Sequence, residues 1–363
     1  MNSPVIIMAL FSITAASGVL CVIMGLAGPN TNVLFGAWIF APAPIVVLLV
    51  LVRKFSLKLQ KVAIGYAGMS VLSSALLLGA VGWTGSQTAL HPEPCEGMDK
   101  LSDYPYLELG IEKVSLNASD GTRLEGWLAR GSSEAAVILL HGYRCDKRSM
   151  LLRANMLYQS GMTVFLFDFR NSGESEGEFT SFGYYERLDL AAAVAFLQDQ
   201  QTVTNNQVPT RGPIGILGLS NGGATAILYA AENPGMVDAL VIDSAFKSLD
   251  SAVSQSFTHF VGLPAFPFAP ITVWITEMRT GISRKAIMPE KSVQRLQDVP
   301  ILVIHGITDN IISFKDSEAI YQGAPEPKEL WLVPDSEHGN ASEIAGPEYR
   351  SRTVEFFKRH LLD

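Results

Sequence analysis

Three long apolar runs open the chain: Val5–Ala27, Val33–Val52 and Val62–Trp83. Each comes close to the roughly 20 residues with which a helix crosses the hydrocarbon core of a bilayer. None contains Asp, Glu, Lys or Arg, and Pro42 and Pro44 kink or shorten the second. A signal peptide ahead of a buried helical pair is the competing reading. It fits less well, because Met1–Pro4 has no basic side chain and the first run exceeds a short signal core. The pattern predicts about three transmembrane helices over residues 1–83. Basic residues then set the orientation. Arg53, Lys54, Lys58 and Lys61 lie between the second and third runs, whereas Gly28–Asn32 and Thr84–Asp99 hold no Lys or Arg. The positive-inside rule places Arg53–Lys61 in the cytoplasm, which makes the chain a multi-pass protein of the cell membrane with residues 84–363 outside the cytoplasm.

Beyond residue 83 the pattern changes. Residues 84–106, with Pro92, Pro94 and Pro105, read as a linker. Two strands, Ile111–Asn117 and Arg123–Ala129, flank Asp120-Gly121, a strong hairpin signal. Short apolar runs at Ala135–Leu140, Thr163–Phe167, Ile214–Leu219, Ala239–Ile242, Ile301–Ile304 and Glu329–Val333 read as six more strands. Helical patterns fall between them at Ser149–Ser160, Tyr185–Asp199 and Ala224–Ala231, and a last one at Thr353–Leu362. The alternation predicts an α/β domain over residues 107–363, with a mainly parallel eight-stranded sheet and helices on both faces. Residues 245–298 interrupt it. They hold Phe257, Phe260, Phe266, Phe268 and Trp274 with Pro264, Pro267 and Pro270, and a structureless loop of that length is uncommon in a compact domain, so they read as an inserted cap.

The net charge of −8 is acidic and forms no basic patch, so nucleic acid is not an expected partner. Of the three cysteines, Cys21 lies in the first apolar run. Cys95 and Cys145 are free to pair outside the cytoplasm, although two free thiols are the simpler reading. No cysteine–histidine cluster suggests a metal, and nothing in the chain calls for a cofactor.

Two segments match G-x-S-x-G: Gly218-Leu-Ser220-Asn-Gly222 and Gly173-Glu-Ser175-Glu-Gly177. The motif needs a strand before the serine and a helix after it. Ser220 has both. Ser175 has neither and stands between two carboxylates that would disfavour an oxyanion. Ser220 is therefore the expected nucleophile. A serine needs a base, and the base needs an acid to orient it. His338, in the loop past the last strand, is the expected base; His259 lies in the cap, His305 directly follows a strand, and His360 lies in the final helix. Asp309, past the seventh strand, is the expected acid, with Asp243 as the alternative. The backbone N–H groups of Asn221 and Tyr143 are the expected oxyanion donors. His141 reads as a loop-packing residue.

Leu-Leu-His141-Gly-Tyr143, Phe167-Asp168-Phe-Arg170-Asn-Ser-Gly173, Gly218-Leu-Ser220-Asn-Gly222-Gly, His305-Gly-Ile-Thr-Asp309 and Glu337-His338-Gly together resemble the α/β-hydrolase superfamily in order and spacing. The likeness covers residues 107–363. It is nearest to the subset with serine aminopeptidase-like hydrolases, monoacylglycerol lipases and acyl-protein thioesterases. It implies a triad of Ser220, Asp309 and His338, and a structural role for the loop of Asp168 and Arg170. The expected activity is hydrolysis of a carboxylic ester or thioester, with a small-molecule or lipid-like acyl substrate met at the membrane. An acyltransferase or a serine peptidase would use the same residues, and a non-catalytic scaffold would have no need of them.

Overall fold

The computed structural model describes residues 57–94, 110–201 and 212–362. The first two apolar runs, Cys21 and Cys95 lie outside the described residues. The third run falls within helix α1 (Leu57–Leu90), in which Gly68–Leu90 is long and apolar enough to cross a membrane by length and composition. The helix continues to Leu90, past the expected start of the linker at residue 84. Thr84-Gly85-Ser86 has the composition of a loop, yet its small side chains let a neighbouring helix approach closely enough to hold it helical.

All eight expected strands form one sheet: β1 (Glu112–Asn117), β2 (Arg123–Ala129), β3 (Ala136–Leu140), β4 (Thr163–Phe167), β5 (Ile214–Leu219), β6 (Ala239–Asp243), β7 (Ile301–Gly306) and β8 (Lys328–Val333). The spatial order is β1-β2-β4-β3-β5-β6-β7-β8. The first hairpin pairs antiparallel and joins β4 antiparallel; every pairing from β4 to β8 is parallel. Alternate strand residues point to opposite faces, and each face has its own buried core. Ile138, Phe165, Ile216, Ile242 and Val303 pack beneath helices α3 (Glu186–Gln201) and α4 (Asn221–Glu232). Val137, Leu166, Leu217, Val241 and Ile304 pack beneath α2 (Leu151–Tyr158) and the C-terminal helix. Strands buried on both faces explain the near-continuous apolar runs read from the sequence.

The region expected as a cap contains α5 (Leu249–Val261) and α6 (Ala265–Thr280), bent by 114° from one to the next. Among the described residues the chain forms two compact units. One holds residues 57–85 with Phe257–Ile275; the other holds the sheet and the remaining residues. The middle of the expected cap thus clusters with α1 and not with the sheet. Besides single helical turns at Pro289–Ser292 and Ala341–Ile344, two longer helices follow, α7 (Phe314–Gly323) and α8 (Gly346–Leu361). The last begins earlier than the apolar pattern indicated, because Pro347 opens it and Tyr349 is buried within an otherwise polar first turn.

The sheet places the carboxyl ends of β3, β5, β6, β7 and β8 along one edge. At its centre α4 begins immediately after β5. Gly218 and Gly222 face each other there: a Cβ on Gly218 would stand 2.5 Å from the Gly222 carbonyl oxygen, and a Cβ on Gly222 would overlap the Leu140 carbonyl oxygen. Rigid backbone blocks both positions. Gly222→Ala is expected to destabilise the protein by about 1–3 kcal/mol, as measured by urea unfolding; a neutral effect would show that the turn has room to relax.

Candidate active site

Ser220 stands at the junction of β5 and α4 with φ 51° and ψ −110°. A non-glycine residue held there costs on the order of 1–3 kcal/mol. The surrounding glycines allow it, and the Ser220 N–H donates to the Asp243 carbonyl at 2.7 Å, fixing the turn to the next strand. The side chain is thereby raised above the sheet edge.

The Ser220 hydroxyl donates to His338 Nε2 at 3.0 Å, and His338 Nδ1–H donates to Asp309 Oδ2 at 2.7 Å. The tautomer is assigned from this network, since only a protonated Nδ1 can donate to a carboxylate. Three residues far apart in sequence, each past the end of a different parallel strand, thus form one hydrogen-bonded line. The loops that carry the histidine and the acid touch. The Thr308 N–H donates to the Ser336 carbonyl at 3.1 Å, and a Cβ on Gly306 would overlap that carbonyl oxygen, so Gly306 has a steric reason to lack one.

Asp309 is fully buried and receives four donors. Oδ1 accepts from the N–H groups of Ile311 and Ile312, each at 2.9 Å. Oδ2 accepts from His338 and from His305 Nε2 at 2.9 Å. Burial by itself would raise the proton affinity of this carboxyl. The hydrogen bonds from His305 and His338 outweigh it and hold the group well below the usual carboxylate range. His305 is buried too. Its Nε2–H also faces the Ile312 carbonyl at 2.9 Å, and its Nδ1 accepts from the Ser317 hydroxyl at 2.7 Å. His305 directly follows the apolar run Ile301–Ile304, and its immediate neighbours do not mark it as a partner of Asp309. Its signal was the four-residue spacing to Asp309, which a tight loop folds back onto the carboxylate.

Asn221, the first residue of α4, presents its backbone N–H at the positive end of that helix. The loop after β3 passes beside the serine, and a Cβ on Gly142 would lie 3.6 Å from Ser220 Cβ. Tyr143 follows it. Its ring stacks on Phe182 with centroids 5.4 Å apart, and its hydroxyl donates to the Thr88 carbonyl at 2.7 Å. Arg144 Nε donates to the Glu93 carbonyl at 2.7 Å, and the Thr180 N–H donates to the Leu90 carbonyl at 2.8 Å. Residues 88–93, expected as linker, are therefore docked on the loop of Tyr143. Cys145, in the same loop, is disulfide-bonded. That overturns the free-thiol reading for this residue.

The alternative residues are held by other contacts. Asp243 Oδ2 accepts from Arg153 at 3.2 Å and from the Tyr349 hydroxyl at 2.9 Å, and Oδ1 accepts from Ser244 at 2.9 Å. It is committed to a buried network behind the site. Arg153 extends that network to the Gly339 carbonyl at 2.8 Å, next to His338. Ser175 accepts from the Glu125 N–H at 2.9 Å and donates to the Asp168 carbonyl at 2.7 Å, with no histidine on it. His141 Nε2 accepts from the Phe169 N–H at 3.0 Å, and burial lowers the proton affinity of its imidazole. Asp168 is bound by Lys147 and by the Glu174 N–H, and Arg170 is paired with Asp189; both brace their loop. Among the described residues no group of three or more His, Cys, Asp or Glu is placed to hold a metal ion.

Residues 131–271 match a family model described as serine aminopeptidase, S33. The chain is 30% identical over 236 residues to the Mycobacterium tuberculosis protein Rv2307c, covering 64% of this chain and 74% of that one. It is 29% identical over 221 residues to the Bacillus subtilis protein YqkD, covering 61% and 70%. Among solved structures it is similar to the Pyrococcus furiosus esterase Pf2001, with 26% identity and a TM-score of 0.60 over 75% of this chain and 98% of that one.

Two predictions follow from the buried charges. Arg153→Met leaves Asp243 without its cation and is expected to cost about 3–5 kcal/mol in urea unfolding. The double variant with Asp243→Asn should recover part of that loss, and equal stability of the two would remove the ion pair as the cause. Asp309 has a depressed folded-state proton affinity, so its stabilisation is complete above the unfolded carboxylate range, about pH 4, and is lost as the pH falls through the lower folded value. The stability advantage of the wild type over Asp309→Asn should narrow as the pH drops below about 4.

Proposed function

Because the chain belongs to the α/β-hydrolase superfamily, we propose that it hydrolyses carboxylic esters or thioesters through an acyl-enzyme on Ser220. The observation that carries this is the unbroken line from the Ser220 hydroxyl through His338 to the buried Asp309 carboxylate. Ser220 Oγ attacks the substrate carbonyl carbon while His338 Nε2 takes its proton. Asp309 holds the imidazole in the accepting tautomer and balances the imidazolium charge. The carbonyl oxygen, now negative, receives the N–H groups of Asn221 and Tyr143. Collapse of this intermediate expels the alcohol or thiol, which leaves with the proton from His338. Water then gives a proton to His338 and attacks the acyl carbon, and Ser220 departs with that proton as the acid is released. The likeness to an esterase at 26% identity favours an oxygen ester over a peptide.

The membrane segment joins this chemistry to a location. The charge-free length of α1 and the basic residues Arg53, Lys54, Lys58 and Lys61 just before or within its start support a multi-pass anchor with the hydrolase domain outside the cytoplasm. The disulfide at Cys145 is consistent with an oxidising compartment. A lipid-like acyl ester, held at the bilayer, is the substrate class that such an anchor serves.

A fluorophosphonate probe should label the wild type and leave Ser220→Ala unlabelled. The same substitution should lower kcat for an acyl ester by about 10⁶-fold, and activity across a chain-length series should rise toward longer acyl groups. A folded wild type that resists the probe would remove the nucleophile assignment, while a preference for short acyl groups would remove the lipid-like substrate alone.

A further inference from the structure

The two longest described stretches free of Asp, Glu, Lys and Arg are Val62–Leu90 in α1 and Ser251–Thr276 across α5 and α6. They lie side by side. A Cβ on Gly82 would come within 2.6 Å of Ile271 and 2.8 Å of Ile275, and one on Gly85 within 2.5 Å of the Thr272 hydroxyl. Close backbone approach at small residues is how helices pack when both are in lipid. The inner side of α6, with Phe268, Thr272 and Val273, is buried. Its outer side is not: Phe266 is 75% exposed and Trp274 53%. On α1, Leu72 and Leu76 are more than half exposed, as is Trp83. Large exposed apolar side chains grouped on two adjacent helices mark an interaction surface.

The polar contacts of the helix pair gather at one end. Thr276 Oγ1 donates to Ser86 Oγ at 3.0 Å, and Arg279 donates to Ser86 Oγ at 3.0 Å and to Gln87 Oε1 at 2.7 Å. Trp83 and Trp274 come just before these residues on their respective helices. The sequence along both helices is therefore the same: charge-free apolar surface, then tryptophan, then a hydrogen-bonded polar end. That is the order of a helix passing from hydrocarbon through the interface into water, where tryptophan concentrates.

We propose that α5 and α6 form a re-entrant hairpin whose outer face, with Phe266 and Trp274, is seated in the phospholipid bilayer beside α1. The proposal rests on the anchored reading of α1. It assigns the residues read as an inserted cap to lipid. The charge-free continuity of the two helices and their shared tryptophan boundary select lipid as the occupant of this face over a second protein.

The test uses the full chain reconstituted in phosphatidylcholine vesicles, with and without bromine on the lipid chains. Bromine quenches tryptophan emission only on contact within the bilayer. The quenchable emission lost in Trp83→Phe reads the anchor; that lost in Trp274→Phe reads the hairpin. Phe266→Trp provides an independent gain of signal. The proposal expects the Trp274 share to be quenched as strongly as the Trp83 share, and Phe266→Trp to add quenchable emission. If Trp83 is quenched and neither Trp274 nor the added tryptophan is, the hairpin is wrong and the anchor stands. Quenching of Trp274 by aqueous acrylamide alone would place the face in water, and quenching by neither agent would place it under protein; each overturns the proposal. Should Trp83 also escape the brominated lipid, the anchored reading fails along with it.

Discussion

A carboxylate buried without water must be fully bonded or it will not remain charged. Asp309 meets that demand with two backbone N–H groups and two imidazoles. The requirement reaches outward from there. The tight loop after β7 exists to bring Ile311 and Ile312 back onto Oδ1, and His305 is held by Ser317 so that its Nε2 points at Oδ2. The remaining donor position is the one that fixes His338. The orientation of the imidazole follows from satisfying a charge, and the alignment with Ser220 follows from that orientation.

The same edge of the sheet must bring backbone segments closer than side chains permit. Gly218, Gly222 and Gly306 each lack a Cβ where a carbonyl group occupies its place. Two of them let β5 turn into α4 beside the end of β3, and the third lets the His338 loop lie on the Asp309 loop. Ser220 itself cannot be glycine, so it adopts the positive φ that its neighbours make room for. Behind this edge, Asp243 joins the strand next to Ser220 to Arg153, and Arg153 reaches the carbonyl beside His338. The Ser220 turn and the His338 loop are thus tied to one buried ion pair.

Most of this was legible in the sequence because local signals agreed. Strands buried on both faces read as apolar runs, and all eight were placed within a residue or two. The motif at Ser220 was separable from the one at Ser175 by the strand before it and the helix after it, and the structure gives Ser175 a purely bracing role. What the sequence hid was tertiary. His305 and Arg153 are polar residues whose value lies in partners distant along the chain, and nothing in their neighbours announces those partners. Gly85 and Ser86 read as loop because propensity counts backbone freedom and not the helix packed against them. The surroundings of the middle of the expected cap were hidden for a related reason: its aromatic content marks apolar surroundings, but it does not say whether those are a substrate, a core or another helix.

The chain between α1 and the sheet shows why that distinction matters. A tether needs only length, and a proline-rich linker would supply it. Residues 88–93 instead bond to Tyr143, to Arg144 and to the loop at Thr180, and the disulfide at Cys145 lies in the same place. Tyr143 carries one of the two N–H groups assigned to the oxyanion. Its ring is stacked on Phe182 and its hydroxyl is held by the carbonyls at the end of α1. Backbone donors act on a developing charge only when they are fixed before it forms. The docked segment supplies that fixation, so removing residues 88–93 would take away part of the support of the Tyr143 loop.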